Sequence, residues 1–465
     1  MRPFCKLKFI PRINLRRFIL FSITFILIFL IFRNRDRTQW LEDNGPLIRI
    51  GRSLQEGILF SENRIIDTID LPCNGVFNGD NEIIDQLKNY TFDDRPFMDK
   101  ILQSTDRCNL YRSLFGFSKS SSSHTEIEFP LAFGVLAHNR FVQLLFMLSS
   151  FFESQNLFCI TVPSSSDHDF IRLVHGLPDC FDNFYVMQTG PISWGSYNIM
   201  KSTYDCMEYL DKRKDHKWKY FQYLSGVDVP LRTNMEMVKI FKEWNGLSHI
   251  LVAPFQKKRL GKQFNKTSPM KLFKTSLSGV ISREAAHVMV THKKAKELIQ
   301  FLKPTLISDE SFWASALGNP DVLPIPGSFN ATLFYSFVPR YLEMKRKKKG
   351  VTPPPCVHPP CLSRGFIGRY QIWYKKSGCK GKMTHASCVY GIADLPKLID
   401  NAALVAHKLY IEYESAAFMC MIKELDHRRQ FPDELFNSNQ YNHLPQIEFL
   451  RGHSYENLSR YDLIL

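Results

Sequence analysis

The chain has 465 residues, 44% of them hydrophobic, and a formal charge of +15. That length and apolar share exclude a fragment too small to bury a core and suit one large domain or two ordinary ones. The basic balance suits an anionic partner (nucleic acid, membrane surface or phosphate-bearing substrate) without choosing among them.

In chain order, the first element is apolar. Phe18 to Phe32 reads FILFSITFILIFLIF, without a charge. As a helix it spans roughly 22 Å, which suits the thinner membranes of the early secretory route. Arg2, Lys6, Lys8, Arg12, Arg16 and Arg17 precede it, and Arg33, Arg35 and Arg37 follow, diluted by Asp36. The positive bias puts the N-terminus in the cytosol. No small-residue cleavage site follows, so the run reads as a retained signal anchor. The expected layout is a cytoplasmic tail over 1–17, a transmembrane anchor over 18–32 and a luminal remainder.

Cysteine usage agrees. Ten of the eleven cysteines lie beyond the anchor, an even number that fits five luminal disulfides. Zinc at Cys356 and Cys361, in PPPCVHPPC, is the competing reading, but no second CxxC pair accompanies them. Asn89, Asn265, Asn330 and Asn457 open glycosylation sequons. The basic run KRKKK, Lys345 to Lys349, reads in a luminal chain as a solvated loop. A nucleic-acid role is disfavoured because the anchor holds the chain on the wrong side of a membrane.

Residues 33–105 are polar and irregular, with short helical patterns, and are expected to form a stem. From Phe129 the texture changes. FPLAFGVLAH, LFCITVP, FDNFYVMQ and KYFQYLSGV read as buried strands. RFVQLLFMLSSFF and SYNIMKSTYDCMEYLDKR between them read as helices. This alternation predicts an α/β fold with a central, mostly parallel sheet. Ligands would bind beyond the carboxyl ends of its strands, where AHNR, VPSSS and SGVDVP sit. Residues 436–465 read as a polar, loosely ordered tail.

TLISDESFWAS, from Thr305, sets acids beside bulky aromatics. Ser308 is a good helix N-cap with Asp309 and Glu310 in the first turn. The other reading makes one of these acids a catalytic base in an apolar pocket.

YLSGVDVPLRTNMEMV (Tyr223 to Val238), GVISREAAHVMV (Gly279 to Val290), ISDESFWAS and SCVYGIADL (Ser387 to Leu395) occur in that order. Together they resemble the core-2/I-branching β-1,6-N-acetylglucosaminyltransferases, over roughly Cys73 to Leu425. The resemblance implies a GT-A-like catalytic domain over 106–435 that works without a metal or other cofactor. It implies the disulfides Cys73–Cys420, Cys108–Cys180, Cys159–Cys206 and Cys379–Cys388, leaving Cys356 and Cys361 as an extra pair. Asp167-His168-Asp169 looks like a metal-binding DxD, but SSSDHDFIRLVHGL reads as a helix start capped by Ser165 or Ser166.

The implied reaction is inverting transfer from a UDP-sugar, GlcNAc first, in β-1,6 linkage to a GalNAc or Gal of an O-glycan core. Glu310 matches the family's catalytic base, with Asp309 second and Phe312 and Trp313 as apolar wall. Lys408 and His385 match the two cations that hold the donor diphosphate, His385 replacing the usual Arg. His138 matches a nucleotide contact, and Tyr370 and Lys257 fall in the acceptor region. Pro163 and Ile372 depart from the pattern, so a donor such as UDP-glucose or UDP-xylose, or a non-catalytic lectin-like protein, stands as the alternative. The family implies a Golgi membrane, with glycoprotein acceptors as partners.

Overall fold

Four apolar runs become four parallel strands: β1 (Leu131–Leu136), β2 (Leu157–Pro163), β3 (Phe184–Thr189) and β4 (Tyr220–Ser225). A fifth strand, β5 (Val280–Ser282), pairs antiparallel with β4, giving the order β3-β2-β1-β4-β5. The computed structural model describes residues 63–117, 123–347, 358–374 and 378–464. The expected anchor at 18–32, the cytoplasmic tail, Cys5 and Cys356 lie outside the described residues. Among the described residues no helix is long and apolar enough to cross a membrane.

The central strands β1 and β2 are almost wholly apolar because both faces are covered, whereas the edge strand β3 is only half-buried. Leu131, Phe133 and Val135 of β1 enter one core, and Ala132 enters the other. The same alternation divides Phe158, Ile160 and Val162 of β2 from Leu157 and Cys159. This is the two-residue period of a strand inside a sheet sandwiched by helices.

The helix α1 (Phe141–Phe151) is buried almost all round. Its one long polar side chain, Gln143, is fully satisfied. Nε2 donates to Leu409 O at 3.0 Å, and Oε1 accepts from Ile411 N at 3.0 Å. An unpaired amide there would cost about 1–3 kcal/mol, so Gln143 fixes the 409–411 segment beside the end of β1. The helix α2 (His168–His175) starts at Asp167, whose carboxylate accepts from Asp169 N and Phe170 N. The DxD look-alike is therefore a helix start, as expected, but Asp167 is the cap rather than Ser165 or Ser166. Asp169 pairs with Arg172 at 2.9 Å.

Four disulfides join the pairs the resemblance implied: Cys73–Cys420, Cys108–Cys180, Cys159–Cys206 and Cys379–Cys388. Cys159–Cys206 pins β2 to α3 (Tyr197–Asp211). Cys361 is also disulfide-bonded. All four sequon asparagines are exposed.

Two expectations are corrected. Residues 63–105 are not a loose stem. They form helices at Ile65–Thr68, Cys73–Phe77, Asn81–Leu87 and Arg95–Gln103. Ile65, Val76, Phe97 and Ile101 are fully buried in the same core as β1. The apolar residues are sparse but share one face of each helix. The C-terminal residues are also folded in. Tyr441, Leu444 and Ile447 are buried, and Tyr441 Oη donates to Ala402 O at 2.9 Å. A few anchors suffice where the remaining side chains face water.

Candidate active site

Ser308 is not a helix cap, and the two acids after it lie with it in a one-turn 3-10 helix rather than in the expected first turn of an α-helix. Ser308–Glu310 is a single 3-10 turn, and α4 (Phe312–Leu317) begins only after Ser311. Ser308 is buried and its Oγ bonds nothing. Ile307 before it has φ 54°, a left-handed conformation that a β-branched residue rarely adopts. Such strain costs about 1–3 kcal/mol and gathers at functional sites. The turn is held by Ile307 N donating to Gly195 O at 2.9 Å and by Thr275 N donating to Glu310 O at 2.8 Å.

Asp309 and Glu310 both line a cleft of about 560 Å³. Glu310 Oε2 accepts from Arg259 Nη2 at 2.6 Å and lies 3.5 Å from Lys274 Nζ. Its partners are cations, so the expected aromatic wall is wrong. Phe312 and Trp313 are buried in the core behind the turn, and Trp313 Nε1 donates to Leu277 O at 2.9 Å. They anchor the turn instead. Asp309 is the acid whose charge burial opposes. Its Oδ1 is shielded from solvent and bonds nothing. Burial, reinforced by the Glu310 charge, pushes its carboxyl up to about 7.

A third acid stands behind this cleft's wall, on the turn after β4. Asp228 is fully buried. It accepts from Arg369 Nη2 at 2.6 Å, His407 Nδ1 at 2.7 Å and Ser225 N at 2.8 Å. Although burial alone would raise it, Arg369 and His407 hold this carboxyl below the usual range. Arg369 and His407 both line the cleft. Two tryptophans flank it: Trp194 is 75% exposed and Trp373 40%.

Next to His407 in the chain, Lys408 belongs to a cationic corner at the carboxyl end of β1. The chain runs from β1 outward to β3, then returns to place β4 on the other side of β1. Such a switch opens a crevice beyond the strand ends. Arg140 occupies it with φ 60°. Its guanidinium lies 4.6 Å from the centre of the Tyr410 ring, and Lys408 Nζ lies 5.5 Å from the same centre. Arg140 Nε donates to Glu412 at 2.6 Å. Burial and the nearby Arg140 lower the proton affinity of the Lys408 ammonium.

The sequence-derived residues are thus distributed. Glu310 and Asp309 share the cleft. Lys408 adjoins it through His407. His138 follows β1 directly, exposed, on the loop that carries Arg140. His385 is exposed in the two-residue turn between β6 (Lys382–Thr384) and β7 (Ser387–Val389), and its side chain makes no hydrogen bond or ion pair among the described residues. Tyr370 is buried beneath Arg364 and beside Tyr390, so it offers no open platform. Lys257 lines a separate, neighbouring groove with Phe264 and Lys271 rather than the Glu310 cleft. Sequence reasoning missed Arg140, Arg259, Lys274, Asp228, Arg369 and His407. AHNR and SGVDVP were noted as strand ends, which is the one signal that pointed towards Arg140 and Asp228. Among the described residues, the side chains close enough to share a metal ion are Cys379, Cys388 and Asp394, and the two sulfurs are bonded to each other.

Residues 131–398 match the Core-2/I-Branching enzyme family, more than half of the chain. A sheep beta-1,3-galactosyl-O-glycosyl-glycoprotein beta-1,6-N-acetylglucosaminyltransferase 3 is 24% identical over 401 residues, covering 81% of this chain and 87% of its own. The human enzyme of that name is 25% identical over 402 residues, covering 81% and 88%. A second human beta-1,3-galactosyl-O-glycosyl-glycoprotein beta-1,6-N-acetylglucosaminyltransferase is 24% identical over 389 residues, covering 77% and 86%. With this match spanning the sheet, the Glu310 turn and the β6–β7 hairpin, the chain belongs to the Core-2/I-branching enzyme family of glycosyltransferases.

Proposed function

We propose that the chain transfers a sugar, GlcNAc first, from a UDP donor in β-1,6 linkage to a GalNAc or Gal of an O-glycan core, with inversion and without a metal. The observation that carries this reading is the placement of Glu310 in a cleft joined to the Arg140–Lys408 corner by consecutive residues, His407 and Lys408.

The chemistry is a single displacement. The acceptor hydroxyl attacks the anomeric carbon while UDP departs from the opposite face. Glu310 takes the hydroxyl proton, and Arg140 and Lys408 receive the charge that develops on the diphosphate. One cation about 4 Å from a phosphate oxygen contributes roughly 4 kcal/mol at an effective dielectric near 20. Trp194 and Trp373 offer faces on which acceptor sugar rings stack, in place of Tyr370.

A second reading is a sugar-binding relative that no longer catalyses. The 2.6 Å ion pair of Glu310 with Arg259 favours it, because the guanidinium occupies the carboxylate oxygen, Oε2, that would otherwise be open to an acceptor hydroxyl. Transfer assays on the full chain in detergent separate the two. UDP-GlcNAc, UDP-glucose, UDP-galactose and UDP-xylose are offered with a Gal-β-1,3-GalNAc acceptor in EDTA. Transfer of GlcNAc is the expected result. Another sugar would revise the donor, loss in EDTA restored by Mn²⁺ would end the metal-free reading, and UDP binding without any transfer would support the non-catalytic one. A Golgi membrane location with a luminal catalytic domain belongs to the same proposal. N-glycans on Asn89 or Asn265 would support that sidedness.

A further inference from the structure

His407 has no role in the chemistry above, yet it stands between the two halves of the site. Its ring lines the cleft that holds Glu310, and its neighbour Lys408 belongs to the cationic corner. Its side chain is only 17% exposed. Nδ1 lies 2.7 Å from Asp228 Oδ1 and 3.3 Å from Ser225 Oγ. Asp228 is an ionised carboxylate fixed by Arg369 and by Ser225 N, so it can only accept. The proton on this side of the imidazole therefore resides on Nδ1. A neutral ring then carries a bare Nε2, and burial with the nearby Arg369 and Lys408 charges keeps the ring neutral. Nε2 has no hydrogen-bond partner among the described residues, and it is not sealed from solvent.

In a donor whose diphosphate sits at Arg140 and Lys408, the anomeric carbon is bonded to that diphosphate, so the hexose ring attached to it enters the cleft beside His407, the neighbour of Lys408. We propose that His407 reads the transferred sugar: Nε2 accepts a hydrogen bond from a hexose hydroxyl, while Nδ1–H is committed to Asp228. This rests on the functional reading above. It makes His407 a donor-specificity residue, with Asp228 and Arg369 as positioning residues that set its tautomer and orientation.

The test is calorimetric titration of UDP, UDP-GlcNAc and UDP-glucose into the full chain in detergent, for the wild type, His407→Asn and His407→Gln. The asparagine amide reaches Asp228 as Nδ1 does but offers nothing at Nε2. His407→Asn should weaken the preferred UDP-hexose about three- to tenfold, the worth of one neutral hydrogen bond. UDP itself should bind within twofold of the wild type. His407→Gln, whose carbonyl reaches further, should recover part of the loss. UDP-hexoses lacking single hydroxyls identify the partner: one should be penalised in the wild type and not in His407→Asn. Equal weakening of UDP and UDP-hexose would make His407 merely structural and overturn the inference, as would unchanged binding of both. Binding with no transfer by the wild type would sink the functional reading alone, since the affinity ratios can still be read. A wild type that binds none of the three would overturn both.

Discussion

Two turns deliver aspartates beside one cleft, and they treat them in opposite ways. After β4, Asp228 receives Arg369, His407 and a backbone N–H, and its carboxyl is held low. Before α4, Asp309 has an oxygen with no partner and is pushed up to about 7. Both are short acids in turns, Asp228 between Val227 and Val229 and Asp309 between Ser308 and Glu310. What differs is whether a distant segment supplies a cation. A satisfied acid builds the scaffold, whereas an unsatisfied one beside Glu310 stores a proton where chemistry is expected.

The largest effect that probes this contrast is on turnover. Glu310→Gln should lower kcat by about 10²- to 10⁴-fold, the usual worth of a general base, with UDP affinity retained. Asp309→Asn should cost far less. The reverse order, read in single-turnover assays, would make Asp309 the base.

Next is stability. Arg369→Met strips Asp228 of its main cation and should destabilise the fold by about 3 kcal/mol, as breaking buried ion pairs does. Urea melts would register this, and an unchanged midpoint would show that His407 and Ser225 satisfy Asp228 alone.

The pH dependence should have opposite signs at the two turns. Asp309 binds its proton more tightly folded than unfolded. Its contribution is present at acid pH and falls away as pH rises from about 4 to about 7. Asp309→Asn should flatten that decline. Asp228 is held low, so its contribution is present at neutral pH and is lost as pH falls below the ordinary carboxylate range. Asp228→Asn should flatten that acid limb. Urea midpoints from pH 3 to pH 8 decide both.

The smallest effect concerns the leaving group. Arg140→Met and Lys408→Met should each weaken UDP about tenfold. His385→Ala should change UDP affinity less than twofold, since its side chain is exposed and bonds nothing among the described residues. A larger loss would bring the β6–β7 hairpin to the diphosphate.

Much of the fold was legible. Runs such as LAFGVL and LFCITVP are strands because a sheet covered on both faces wants unbroken apolar residues, and β2 spans Leu157–Pro163. The folded status of residues 63–105 was not legible. Their core contacts are single side chains such as Val76 and Phe97, buried only when helices far along the chain arrive. The C-terminal residues escaped for the same reason, because Tyr441 is buried against Ala402 and Trp244.

The sequence by itself determined the alternation of strands and helices, the family, the implied cysteine pairs and Glu310 as an acid of interest. These follow from local periodicity and ordered motifs. Only the tertiary structure decided which charges meet. Arg259 lies 51 residues from Glu310 and His407 lies 179 from Asp228. No local pattern encodes such pairings. They arise because the fold lays the 407 segment against the turn after β4 and the 259 segment against the Glu310 turn, and because buried carboxylates must find partners there or give up their charge.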